Sequence, residues 1–100
     1  MAQFDIYPGR GEGVDFLLDL QDEMLANLST RVVAPVVLPE TVGLPIKILN
    51  PCVCVGGSDH IVLIHLLAAI PASSLGERVG SAASRRDAII AALDLLFTGI

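Results

Sequence analysis

Ser84 to Ile100 reads SRRDAIIAALDLLFTGI. Ser84, followed three residues later by Asp87, predicts a capping-box-like helix start, with a side-chain oxygen for the free N–H groups of the first turn. Ile89, Ile90, Leu93, Leu96 and Phe97 recur at i, i+1, i+4, i+7 and i+8, one face of a helix. Ala88, Ala91, Ala92 and Leu95 cover most of the remaining circumference, and only Asp87 and Asp94 mark a wet stripe. A surface helix of a small domain needs one apolar face, so this one is expected to pack on its own domain and on something else. In so short a chain the expected second surface is another copy. Gly99 predicts a left-handed C-terminal cap, which leaves Ile100 at an exposed tip with no folding role.

Working outward, the 100 residues make one domain, 1–100, with room for one modest core. The chain is 53% hydrophobic and 17% charged, with a mean hydropathy of +0.70. No apolar run reaches the roughly 18 residues of a membrane span, and MAQFDIYP lacks the pattern of a signal peptide. A cytoplasmic location and a permanent protein interface are the expectations. The net charge of −5 argues against nucleic acid as a direct partner.

Gln3 to Tyr7 reads as a first strand, with Phe4 and Ile6 inward. Val14 to Leu20 reads as a second, with Val14, Phe16, Leu18 and Leu20 alternating against Asp15, Leu17 and Asp19. The glycines at 9, 11 and 13 do not make a phosphate cradle, because a strand and not a helix follows them. Asp19, Asp22 and Glu23 read as a solvated acidic turn rather than as metal ligands. Arg31 to Leu38 is rich in β-branched residues, but Pro35 assigns it to an edge or a bulge. Pro39, Pro45 and Pro51 separate what read as short extended pieces, 42–44 and 46–49.

Pro51 to Leu66 is the clearest hairpin, with Cys52–Val55 rising, Gly56–Asp59 turning and His60–His65 returning. Placing Val55 opposite His60 puts Cys52, Cys54 and His65 on one face. That spacing fits no zinc ligand pattern, so core packing is the expectation and no metal or cofactor is assigned. His60 and His65 are expected on opposite faces of one strand, unable to pair. The chain from Leu67 to Ser81 reads as a turn-rich connection. The fold class is mainly β, antiparallel, closed by a C-terminal helix.

In this order the pieces resemble the CcdB family of toxins from bacterial toxin–antitoxin modules. The resemblance is carried by Gln3-Phe4-Asp5-Ile6-Tyr7, by Leu18-Asp19-Leu20-Gln21-Asp22 and by PCVCVG at 51–56, continuing to Ile70-Pro71. It is completed by Leu75-Gly76-Glu77 through Ala92-Leu93-Asp94-Leu95-Leu96-Phe97 to Gly99-Ile100. It implies an SH3-like barrel with a larger antiparallel sheet, a small second sheet and the helix. It also implies a homodimer, for which Ala91, Leu95 and Leu96 are assigned as the facing residues. The implied partners are the DNA gyrase A subunit and a CcdA-like antitoxin, and no catalytic residue is implied.

Gyrase contacts carried over by resemblance fall on Met24, Leu25, Asp94, Thr98, Gly99 and Ile100. Gly99 and Ile100 match the family. Asp94 stands where the family has asparagine, and Thr98 where its gyrase poisons have tryptophan. A stacking tryptophan is a common interface hot spot, worth about 2 kcal/mol or more.

Three functions follow. The first is a gyrase-poisoning toxin, and the second is a family dimer that keeps its antitoxin but has lost gyrase. The third is a ribonuclease of the MazF/Kid type, which the acidic charge and the unpaired histidines disfavour. Arg85 and Arg86 at the helix start oppose its dipole, a misfit that favours an acidic partner such as an antitoxin segment.

Overall fold

The computed structural model describes residues 2–100. Strand β3 (Thr30–Val37) is the spine of the molecule. On one side its residues 33–36 pair with β2 (Phe16–Asp19), which pairs with β1 (Asp5–Pro8), and β1 pairs with the two-residue β7 (Gly80–Ser81). On its other side β3 has two partners in succession. Thr30–Val33 pair with β6 (Ala68–Pro71), and Val36–Val37 pair with β5 (Ser58–Val62), which carries β4 (Cys52–Val55). All seven strands form one antiparallel, nearly closed barrel-like ladder in the order β4-β5-β3-β2-β1-β7, with β6 branching from β3. The β4–β5 hairpin is a wing of this ladder, in place of a separate small sheet.

Pro35 explains the branch and corrects the edge assignment, because β3 is central. The Pro35 carbonyl accepts from the Leu63 N–H at 2.9 Å, so the proline nitrogen faces that same side. This is the junction where β6 has ended and β5 begins, and a missing N–H costs no ladder bond there. β6 itself reads poorly in sequence, since Ala68 and Ala69 carry little strand signal.

The core lies between the ladder and α2 (Arg86–Thr98). Ile6, Leu18 and Ala34 stand in register across β1, β2 and β3, and Val36 faces Val62. All are buried, and Ile89 and Ala92 of α2 close over them. Ile90, Leu93 and Leu96 pack at the margin of this core, whereas Phe97, expected inward, is 70% exposed. Phe4 buries its ring at a left-handed φ of 70°. Its N–H donates to the Asp19 carbonyl at 2.7 Å and its carbonyl accepts from Ala82 at 2.8 Å. Burial of the aromatic ring offsets a backbone conformation costing about 1–2 kcal/mol.

Several local expectations change. The hairpin turn is only Gly56-Gly57, at φ 60° and 83°, a pair that two glycines adopt without a Cβ clash. Ser58 and Asp59 therefore enter β5, and His60 pairs with Val53 instead of Val55. His65 falls beyond the strand in a 3-10 turn, Ile64–Leu66, so no Cys52–Cys54–His65 face forms. Cys54 is exposed and Cys52 half-buried, not core. Residues 39–50 form no strand: Pro39–Val42 make a single helical turn (α1) and 47–49 a second turn. Ser84 does not cap α2, because 83–85 form a 3-10 turn that runs straight into it, and Arg85 occupies the cap position without a side-chain bond.

Candidate functional site

Two exposed apolar features flank the core. The first is the end of α2. Gly99 adopts φ 78°, ψ 12° and its N–H donates to the Leu95 carbonyl at 3.0 Å, the left-handed cap read from sequence. The Thr98 hydroxyl turns back to the Asp94 carbonyl at 2.7 Å, so its donor is engaged within the helix. Beyond them Ile100 is 91% exposed. With Phe97 it makes an apolar tip on a firmly closed helix end, and Asp94 lies exposed one turn back.

The second feature is the turn after β2. Met24 is 90% exposed, and Leu25 and Leu28 are about half exposed. The turn is held by residues of the Leu18–Asp22 block. The Asp22 carboxylate accepts from the Met24 N–H at 2.8 Å. The Gln21 amide donates to the carbonyls of Leu25 and Thr30, both at 3.2 Å, and accepts from the Val32 N–H at 3.1 Å.

Beneath Gln21 lies a buried ion pair. Arg31 donates through Nε and Nη2 to one Asp19 oxygen at 3.0 and 2.7 Å, and through Nη2 to the Gln21 carbonyl at 2.9 Å. The other Asp19 oxygen accepts from the Gln21 N–H at 3.0 Å, and neither charged side chain has exposed surface. Asp19 thus belongs to no solvated acidic turn. It is the anchor of the turn that presents Met24.

Beside this pair, burial raises the Tyr7 hydroxyl above its ordinary pKa of 10.0, and the charges of Asp5 and Asp19 add to the effect. Burial opposes ionisation of Asp5, yet the bonds from Arg78 and the Ala2 N–H keep its carboxyl below the usual value.

Of the residues assigned to a dimer, Ala91 is exposed and Leu95 half-buried, while Leu96 packs partly on its own core. Between α2 and the 46–51 turn is a groove of ≈ 270 Å³ lined by Ile48, Pro51, Arg85, Ala88 and Ala91. Sequence reasoning missed it. Its only trace there is the cluster Leu44, Ile46 and Ile48 between prolines, all exposed. Among the described residues no group of three or more His, Cys, Asp or Glu side chains could hold a metal, and no helix is long and apolar enough to cross a membrane. His60 is buried with Nδ1 donating to the Ser58 carbonyl at 3.0 Å, and exposed His65 accepts from the Asn50 amide at 3.3 Å.

Comparison with known proteins places this geometry. Among the solved structures that share the fold are two toxin-system proteins. The Mycobacterium tuberculosis toxin MazF-mt6 is 20% identical at a TM-score of 0.75, over 93% of this chain and 95% of that one. An endoribonuclease in complex with its cognate antitoxin, from a mycobacterial species, is 12% identical at 0.78, over 96% and 93%. No curated protein matches the chain. The family model described as CcdB protein matches residues 3–99, and the chain therefore belongs to the CcdB family, a toxin of a toxin–antitoxin system.

Proposed function

We propose that the chain poisons DNA gyrase by binding its A subunit through the α2 tip and the Met24–Leu25 turn, trapping the cleaved complex. The observation that carries this reading is the tip itself. A helix closed by a left-handed glycine holds Phe97 and Ile100 out of their own core, where they contribute little to folding. Thr98 stands at the family's tryptophan position, and its hydroxyl is engaged by Asp94. The aromatic surface is then supplied one residue earlier, by Phe97. The protein acts by binding and not by catalysis, as a homodimer formed through Ala91, Leu95 and Leu96, in the cytoplasm, under control of a CcdA-like antitoxin.

Binding to an A-subunit fragment of the host gyrase tests this. The natural chain should bind, deletion of Thr98-Gly99-Ile100 should abolish binding, and Phe97→Ala should weaken it by about 2 kcal/mol. Failure of the natural chain together with binding by Thr98→Trp would support the second reading, a family dimer that keeps its antitoxin but has lost gyrase. If neither binds, gyrase is not the target.

The MazF-like fold favours a ribonuclease only at the level of architecture. An RNA-cleaving site needs acid–base and cationic groups that reach substrate, whereas Arg31 and His60 are buried. Degradation of RNA by the pure protein, lost in His65→Ala, would reinstate that reading.

A further inference from the structure

Cys52 and Cys54 serve neither the core nor the surfaces described above. Unpaired cysteine is among the most buried residue types, yet Cys54 is exposed and Cys52 half-buried. They stand two residues apart on β4, so both side chains leave the same face of the strand, opposite to the buried Val53 and Val55. In register across β5 they face Ile61 and Asp59. β4 ends the ladder on this side, so the two thiols lie at an open margin of the sheet.

Spacing limits what such a pair can do. Two residues along an antiparallel strand advance about 6.8 Å, and side chains on one face keep their Cβ atoms about that far apart. A disulfide draws its Cβ atoms to about 3.8 Å, so closing one here would distort the ladder with β5. A metal ion between the sulfurs relaxes the requirement. Two metal–thiolate bonds of about 2.3 Å laid end to end span about 4.6 Å. Each Sγ then leans along the strand by about 1 Å, a displacement that needs no backbone movement.

The number of donors selects the ion. Among the described residues no third His, Cys, Asp or Glu side chain joins the pair in a metal-binding group. Structural zinc takes four ligands and iron–sulfur clusters four cysteines, whereas soft copper(I) is satisfied by two thiolates in a line. Such a complex carries one net negative charge. Arg85, whose Nε donates to the Cys52 carbonyl at 3.0 Å, holds a cation beside it. Asp59 is a hard oxygen donor that the ion does not recruit, and being exposed it turns its charge to water.

We propose that Cys52 and Cys54 form a binding site for one soft monovalent cation, copper(I), held in a line between their sulfurs at the margin of β4. Each thiol releases its proton to water on binding. No electron is transferred, since the ion enters already reduced. The site adjoins Arg85 at the start of α2, whereas Phe97 of the presenting tip lies about 18 Å further along the axis. The proposal therefore stands apart from the gyrase reading.

The test is anaerobic titration of the reduced full-length chain with copper(I), in competition with a chromophoric copper(I) chelator, beside Cys52→Ser and Cys54→Ser. With no tryptophan and one tyrosine in the chain, the ultraviolet absorption of a copper–thiolate complex reads binding directly. The natural chain should take one copper per chain, protect both thiols from an alkylating reagent and keep its sedimentation mass. Either serine variant should bind at least about a hundredfold more weakly, since the second thiolate acts at high effective concentration. The melting temperatures of the metal-free variants should match that of the natural chain.

Affinity retained in either variant would mean a contact through one thiol, and one copper shared by two chains would mean a bridge between copies. Ready closure of a Cys52–Cys54 disulfide in air would mean a closer pair than the strand allows. Each of these overturns the proposal, and so does failure of the natural chain to compete with the chelator.

Discussion

Asp19 and Arg31 show how far a single residue's neighbours decide its role. They are diagonal neighbours across β2 and β3, since Asp19 pairs with Val33. Removing one partner leaves a buried charge uncompensated, so Arg31→Met alone should destabilise by about 3–5 kcal/mol in urea unfolding. The double variant Asp19→Leu/Arg31→Met should recover most of that loss, and a simple sum of two losses would contradict the pairing. The alternation of β2 correctly set Asp19 opposite to Leu18. It could not show that the opposite face is also covered, because alternation reports a side and not what lies on it.

Tyr7 offers a second check at this scale, being the sole tyrosine in a chain without tryptophan. Burial raises its folded-state pKa above the unfolded value of 10.0. The neutral phenol therefore contributes stability that is fully present below pH 10.0 and lost as pH rises through the higher folded value. Titration of phenolate absorbance should show a midpoint above 10.0 in the native protein and near it in urea. Tyr7→Phe should remove that part of the alkaline loss of stability.

Among the elements, α2 divides its apolar residues between two tasks. Ile89 has no exposed surface, and Ile89→Ala should cost about 2–5 kcal/mol through lost burial and a cavity. Phe97→Ala should leave the melting temperature nearly unchanged, since most of the ring is already in water. Thermal melts of the two variants separate the folding face from the presenting one. The period of the helix was legible, and so was its glycine stop. Its start was not, because the 3-10 turn at 83–85 supplies backbone bonds that make a Ser84 cap unnecessary. Which apolar residues face inward was legible only approximately. Ile89 and Ala92 lie deepest, in one cluster with Leu18, Val36 and Ile64, and Phe97 falls outside it.

At the scale of the whole molecule, the surplus apolar surface falls into separate patches: the α2 tip, the Met24 turn and the 44–48 segment. A dimer through Ala91 and Leu95 would cover a further stripe. Sedimentation equilibrium should give twice the chain mass for the natural protein and a monomer for Leu95→Glu, with the gyrase assay then read on defined species. A natural protein that sediments as a monomer at micromolar concentration would remove the dimer from the proposal.

The amino-acid sequence by itself determined the mainly β class, the terminal helix with its left-handed glycine end, the two strongest strands and the bare Ile100. Each is written in local period or in the conformational freedom of one residue, and needs no distant partner. Tertiary structure alone decided the rest. β6 is a strand because β3 offers it an edge, and Pro35 is tolerated in a central strand because two partners change over beside it. Asp19 is buried because Arg31 reaches it, and the groove exists because the turn at Ile48 comes to lie against Arg85 and Ala88. Such features depend on contacts between segments far apart in the chain, which no local pattern encodes.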